Sequence, residues 1–136
     1  MRGASALGGL LGEFPDVPIQ VRVVWEPVLK TDIAPPLDGG LGLLPDKRVA
    51  QYWDPARMLS ADLVRSVNED PQRYGREDRL PPGFVSWDVV AVFGLSALWG
   101  RDLPSPVQYG GPVVREIGRV RTAILDMENG SDSKVP

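Results

Sequence analysis

Three of the four tryptophans in this chain are followed directly by an acid: Trp25-Glu26, Trp53-Asp54 and Trp87-Asp88. An indole beside a carboxylate could wall a groove and offer it one polar contact. In open α/β sheets ligands gather beyond the carboxyl ends of strands. Trp25-Glu26 fits that description best because it closes the clearest strand pattern in the sequence; the competing reading makes Trp25 a cap on the core and leaves Glu26 solvated. Local structure explains Trp53-Asp54 better, with a core tryptophan and Asp54 capping the next helix. Trp87-Asp88 reads similarly, as a core tryptophan at a strand start beside an exposed acid.

The wider inventory removes most catalytic chemistry. The 136 residues include no cysteine and no histidine, so the chain has no thiolate nucleophile, disulfide exchange, imidazole base or His/Cys metal site. Glu26, Asp32, Asp54 and Asp88 remain as acids. No dense loop of alternating acids, as calcium requires, is present. Nothing in the spacing brings two carboxylates together for glycosidase-type chemistry. Gly39-Gly40-Leu41-Gly42 lacks the Gly-Lys-Ser/Thr of a phosphate loop and follows no strand. The expectation is therefore no catalytic residue, no metal and no cofactor.

Composition sets the remaining bounds. Hydrophobic residues make up 43% and charged residues 24%, ordinary for a globular domain, while 15 Gly and 14 Pro predict short elements and many turns. The net charge of −3 argues against a nucleic-acid surface, which needs a basic stripe. The one basic stretch, Arg115, Arg119 and Arg121, is interrupted by Glu116 and reads as a solvated helix face. No run reaches the ~18 apolar residues of a membrane span. Ala4 to Leu11 is glycine-interrupted and leads into Glu13 and Phe14-Pro15 without a convincing cleavage site, so it is not read as a secretory leader. A cytoplasmic location is expected, compatible with the absence of cysteine.

These residues must be positioned by a few elements. Leu7, Leu10, Leu11 and Phe14 lie at i, i+3, i+4 and i+7 and predict a first helix, weakened by its glycines and stopped at Pro15. Ile19 to Trp25 alternates as a strand. A loop through Pro35-Pro36 and Asp38-Gly39-Gly40 follows. Asp46 predicts an N-cap for a helix through Val49 and Trp53, and Asp54-Pro55 predicts a fresh helix carrying Leu59, Leu63, Val64 and Val67. Residues 66–86 read as a surface excursion. Trp87 to Phe93 predicts a strand covered on both faces. Val107 to Tyr109 and Val113 to Arg115, around Gly110-Gly111, predict a hairpin whose second strand Pro112 confines to an edge. Ile117, Val120, Ile124 and Met127 mark a last helix ending at Asn129-Gly130. One domain over residues 1–128 results, with 129–136 as a flexible tail.

This order of elements resembles the later part of the thioredoxin-like fold. Ser105-Pro106-Val107 lies just before the expected hairpin, where that family places a cis-proline bordering the substrate groove, and Tyr109-Gly110-Gly111-Pro112-Val113 looks like its final hairpin. Val23-Val24-Trp25-Glu26-Pro27, Arg48-Val49-Ala50-Gln51-Tyr52-Trp53-Asp54-Pro55 and Trp87-Asp88-Val89-Val90 are similar to a poorly characterised bacterial group of thioredoxin-like proteins. The resemblance covers most of Leu7 to Met127. It implies an α/β, thioredoxin-like three-layer sandwich with a mixed sheet, N-terminally incomplete because the first central strand and its Cys-x-x-Cys segment have no counterpart. The implied function is redox-inactive binding of a protein or peptide, with Trp25, Glu26, Ser105 and Pro106 at the binding groove. One alternative is a thiol–disulfide oxidoreductase whose Cys-x-x-Cys lies upstream of Met1. Another is a subunit that shares strands in a homo- or hetero-oligomer, since an incomplete sheet exposes edges that seek pairing.

Overall fold

The computed structural model describes residues 2–100 and 102–130; the expected tail lies largely outside the described residues. The elements run α1 (Arg2–Glu13), β1 (Val21–Trp25), α2 (Asp38–Leu41), β2 (Val49–Trp53), α3 (Met58–Glu69), a 3-10 turn (Gln72–Tyr74), β3 (Val90–Val92), β4 (Gln108–Gly110) and α4 (Val113–Glu128). The protein is α/β, but its strands do not merge into one mixed sheet. β1 and β2 form a parallel pair with Val21 opposite Val49 and Trp25 opposite Trp53. β3 and β4 form a separate antiparallel pair with Val90 opposite Gly110 and Val92 opposite Gln108.

Alternation along β3–β4 directs its side chains into two apolar clusters. Val90 and Val92 join Leu10 and Phe14 at the α1 end of the chain and Val120 and Ile124 of α4. Tyr109, opposite Ala91, joins Leu63 and Val67 of α3 with Tyr74 and Leu80. Val67 is wholly buried and Leu10 is 1% exposed. The Tyr109 ring meets Tyr74 edge-on at 5.4 Å. The glycines of α1 cost intrinsic helix propensity, yet Gly3 lets the helix approach α4: a Cβ there would lie 3.0 Å from Val113 Cβ.

Four sequence expectations change. Val49 to Trp53 is a strand, not the end of a helix from Asp46. Asp46 does accept a main-chain N–H, but from Arg48 two residues on (2.9 Å), so its carboxylate makes a turn that feeds β2. α3 begins at Met58, with Arg57 in the left-handed region at φ 56 as its N-cap, while Asp54 reaches forward to accept the Leu59 N–H at 2.9 Å. The expected hairpin does not form: β4 pairs with β3, and Val113 starts α4, its N–H bonded to Asp88 O at 3.0 Å. Finally, the 66–86 excursion carries core residues, for Tyr74 and Leu80 are buried. Asn68 clamps Leu80 through both its N–H (2.7 Å) and its carbonyl (3.1 Å).

Candidate functional site

Trp25 ends β1 and Glu26 follows it, and the structure ties both down. The Trp25 indole N–H donates to Gln51 Oε1 at 2.9 Å, and Gln51 Nε2 donates to Leu41 O at 2.8 Å, so β1, β2 and α2 are linked through one amide. The Glu26 carboxylate accepts the Ser60 main-chain N–H at 2.9 Å and the Ser60 hydroxyl. The Ser60 Oγ in turn accepts the Ser86 N–H at 2.8 Å. Glu26 thus closes the first turn of α3 beside Asp54, and two carboxylates sit at the positive end of one helix dipole.

That arrangement is structural rather than catalytic. Ser60 is 2% exposed, and its hydroxyl proton is committed to Glu26. A nucleophile needs a neighbouring base and access to substrate; Ser60 has no access. Among the described residues no three His, Cys, Asp or Glu side chains gather closely enough to hold a metal ion. No helix among them is long and apolar enough to cross a membrane.

Ser105 is exposed and Pro106 half-buried on the lead into β4, where Val107 N–H bonds to Val92 O at 2.8 Å. The cis X–Pro bond lies at Gly111–Pro112, not at Ser105–Pro106. No hydrogen bond joins Ser105 or Pro106 to Trp25 or Glu26 among the described residues. Trp87 departs from the expected core role, being 73% exposed. Sequence reading missed Gln51, Ser60 and Ser86. A polar residue at the centre of the apolar strand Val49–Trp53 was the only available signal for Gln51. Nothing local links Ser60 to an acid 34 positions earlier.

The most informative geometry belongs to the main chain. In the parallel ladder Val21 N–H donates to Arg48 O (2.9 Å), and Asp54 N–H donates to Trp25 O (2.8 Å). Val21, Val23 and Trp25 therefore turn their N–H and C=O groups towards β2, and Arg22 and Val24 turn theirs away. Those outward groups find no partner among the described residues. No residue in any of the four strands is fully buried. Exposed Leu95, Leu98 and Trp99 follow β3, the last packed edge-on against Phe93 at 4.7 Å.

At the amino ends of β1 and β2 the surface opens into a hollow of about 520 Å³, with Arg22, Lys47 and Arg48 among its lining residues. Arg48 is spent within the fold. It donates to Leu11 O (2.8 Å), Val17 O (3.1 Å) and Phe14 O, and to both oxygens of Asp46. The Arg48 guanidinium holds the Asp46 carboxyl well below its ordinary range, at about 2.

No protein-family model, curated protein or solved structure matches this chain.

Proposed function

We propose that this chain is a redox-inactive binding domain that takes up an extended segment of polypeptide along the free edge of β1. The observation that carries the reading is the pair of outward-facing, unpartnered peptide groups at Arg22 and Val24. Main-chain N–H and C=O groups at a half-buried strand seek partners, and adding a strand satisfies them in register. The partly buried state of every strand supports it, because a sheet that is closed on both sides buries its central residues.

The thioredoxin-like likeness belongs to the same reading: a fold of that kind without a thiol keeps its peptide-binding surface and loses its exchange chemistry. The 136 residues supply no sulfur nucleophile, and Ser60 cannot replace one.

Amide hydrogen exchange tests the reading directly. Arg22 and Val24 should exchange as exposed amides in the free protein, whereas Val21, Val23 and Trp25 should be protected. Adding the strand-forming peptide acetyl-Thr-Val-Thr-Val-Thr-amide should slow Arg22 and Val24. Val24→Pro should remove that effect with little change in melting temperature, since proline is tolerated at strand edges. Strong protection of Arg22 and Val24 in the dilute free protein would mean that the edge is already covered, and the reading would fail. Protection that rises with protein concentration alone would identify a second copy as the occupant.

A further inference from the structure

We infer that the segment bound along β1 carries an acidic residue at the end lying beside Val21; this rests on the strand-binding reading above. The hollow at the amino ends of β1 and β2 has among its lining residues Arg22, on the strand with the free edge, and Lys47, on the lead into β2. Both side chains are exposed. Arg22 has one weak contact, from Nη2 to Gln20 Oε1 at 3.3 Å, and Lys47 has no hydrogen bond or ion pair among the described residues. The Arg22 peptide N–H, itself outward-facing, adds a main-chain donor at the same place.

Of the other charges nearby, Arg48 is offset by Asp46, and Asp16 adds one negative charge close to Arg48. Arg48 uses its guanidinium donors on Asp46 and on three carbonyl oxygens, and Asp46 faces Arg48 through both of its oxygens. That pair neither repels nor attracts a ligand strongly. Two cations with free donors therefore remain around the hollow at the amino end of the β1–β2 pair, Arg22 on β1 and Lys47 on the lead into β2. A carboxylate there would gain charge-assisted hydrogen bonds that a neutral or basic residue could not make.

The sign of the preference separates this local effect from the field of the whole molecule. The chain carries a net charge of −3, so its overall field favours a basic peptide. An acid preference therefore requires a local group of cations, and the Arg22 and Lys47 variants report whether this end supplies it.

The experiment compares acetyl-Asp-Thr-Val-Thr-Val-Thr-amide and acetyl-Thr-Val-Thr-Val-Thr-Asp-amide with counterparts bearing lysine in place of aspartate. Binding is read by slowed exchange at Arg22 and Val24 and by titration. One of the two acidic peptides should bind about fivefold more tightly than its lysine counterpart at low salt, as expected for exposed ion pairs. Which of the two it is reports whether the strand enters parallel or antiparallel to β1. The advantage should fade at high salt. It should vanish in Arg22→Gln/Lys47→Gln and reverse in Arg22→Glu/Lys47→Glu, with melting temperatures held because both side chains are exposed. If neither acidic peptide outbinds its lysine counterpart, the inference is wrong and strand binding stands. If none of the four protects Arg22 and Val24, strand binding itself is wrong and the inference falls with it.

Discussion

The two strand pairs of this molecule are held in opposite ways. β3–β4 lies between apolar clusters: Val90 and Val92 meet α1 and α4 on one face, and Tyr109 meets α3, Tyr74 and Leu80 on the other. β1–β2 is held chiefly by polar side chains at its ends. Arg48 and Asp46 fix its amino end, while Trp25, Gln51, Glu26 and Ser60 fix its carboxyl end. Apolar packing is non-directional and covers the faces of a strand pair, whereas hydrogen bonds from strand ends position a strand and leave its length uncovered. A region held at its ends can stay open along its length.

The largest expected effect lies in the closed region. Leu10→Ala should lower unfolding free energy by about 3 kcal/mol, because it leaves a cavity among Phe14, Val120 and Ile124. Val24→Ala, on the open edge, should cost under about 1 kcal/mol. Urea titration of both variants measures the contrast, and equal losses would erase the distinction between the regions. Arg48→Ala should come next at about 2 kcal/mol, since three main-chain carbonyls lose a charged donor. Arg48→Lys should not restore it, because an ammonium cannot reproduce the fork. Glu26→Gln should cost about 1 kcal/mol by weakening the cap on α3. Its mark would be faster exchange at Ser60 with the Leu10 cluster unaffected.

The smallest effect is that of acid. The Asp46 carboxyl is lowered to about 2 by Arg48, and Glu13 is lowered by its hydrogen bonds to Arg121. A folded-state pKa below the unfolded value means that the unfolded chain binds more protons, so stability rises with pH. The contribution of both acids is complete above the ordinary carboxylate range and is lost as pH falls through their lowered folded-state values, for Asp46 about 2. Asp46→Asn should flatten the acid limb of a stability–pH curve; an unchanged limb would remove Asp46 from the account.

Much of the closed region is legible in the sequence because its signals are periodic. The spacing of Leu7, Leu10, Leu11 and Phe14 and of Ile117, Val120 and Ile124 announces α1 and α4, and Asn129-Gly130 ends α4 with Gly130 at φ 70. The alternation of Ile19 to Trp25 announces β1. The losses come where one residue supports two local structures. Asp46 caps a turn as readily as a helix, and its preference for the turn is decided by Arg48 and by pairing with β1. Val113 to Arg115 has strand-like composition, yet it forms the first turn of α4, with Val113 buried beside Gly3 of α1. Trp25 and Glu26 are visible as a pair, but their partners Gln51 and Ser60 lie 26 and 34 residues away. The outward peptide groups of Arg22 and Val24 carry no side-chain signal at all. They follow only from knowing which strand lies on the other side.

The Arg48 fan also has a temporal consequence. It reaches back 37, 34 and 31 residues to the carbonyls of Leu11, Phe14 and Val17. α1 is twelve residues long and rich in glycine, so it is a poor helix by itself. Its carboxyl end is closed by a residue that arrives only after the intervening loop has folded back. Contacts across such separations form late. The first helix in the chain should therefore be among the last to gain lasting protection during refolding, no earlier than β2, and pulsed hydrogen exchange would date the two events.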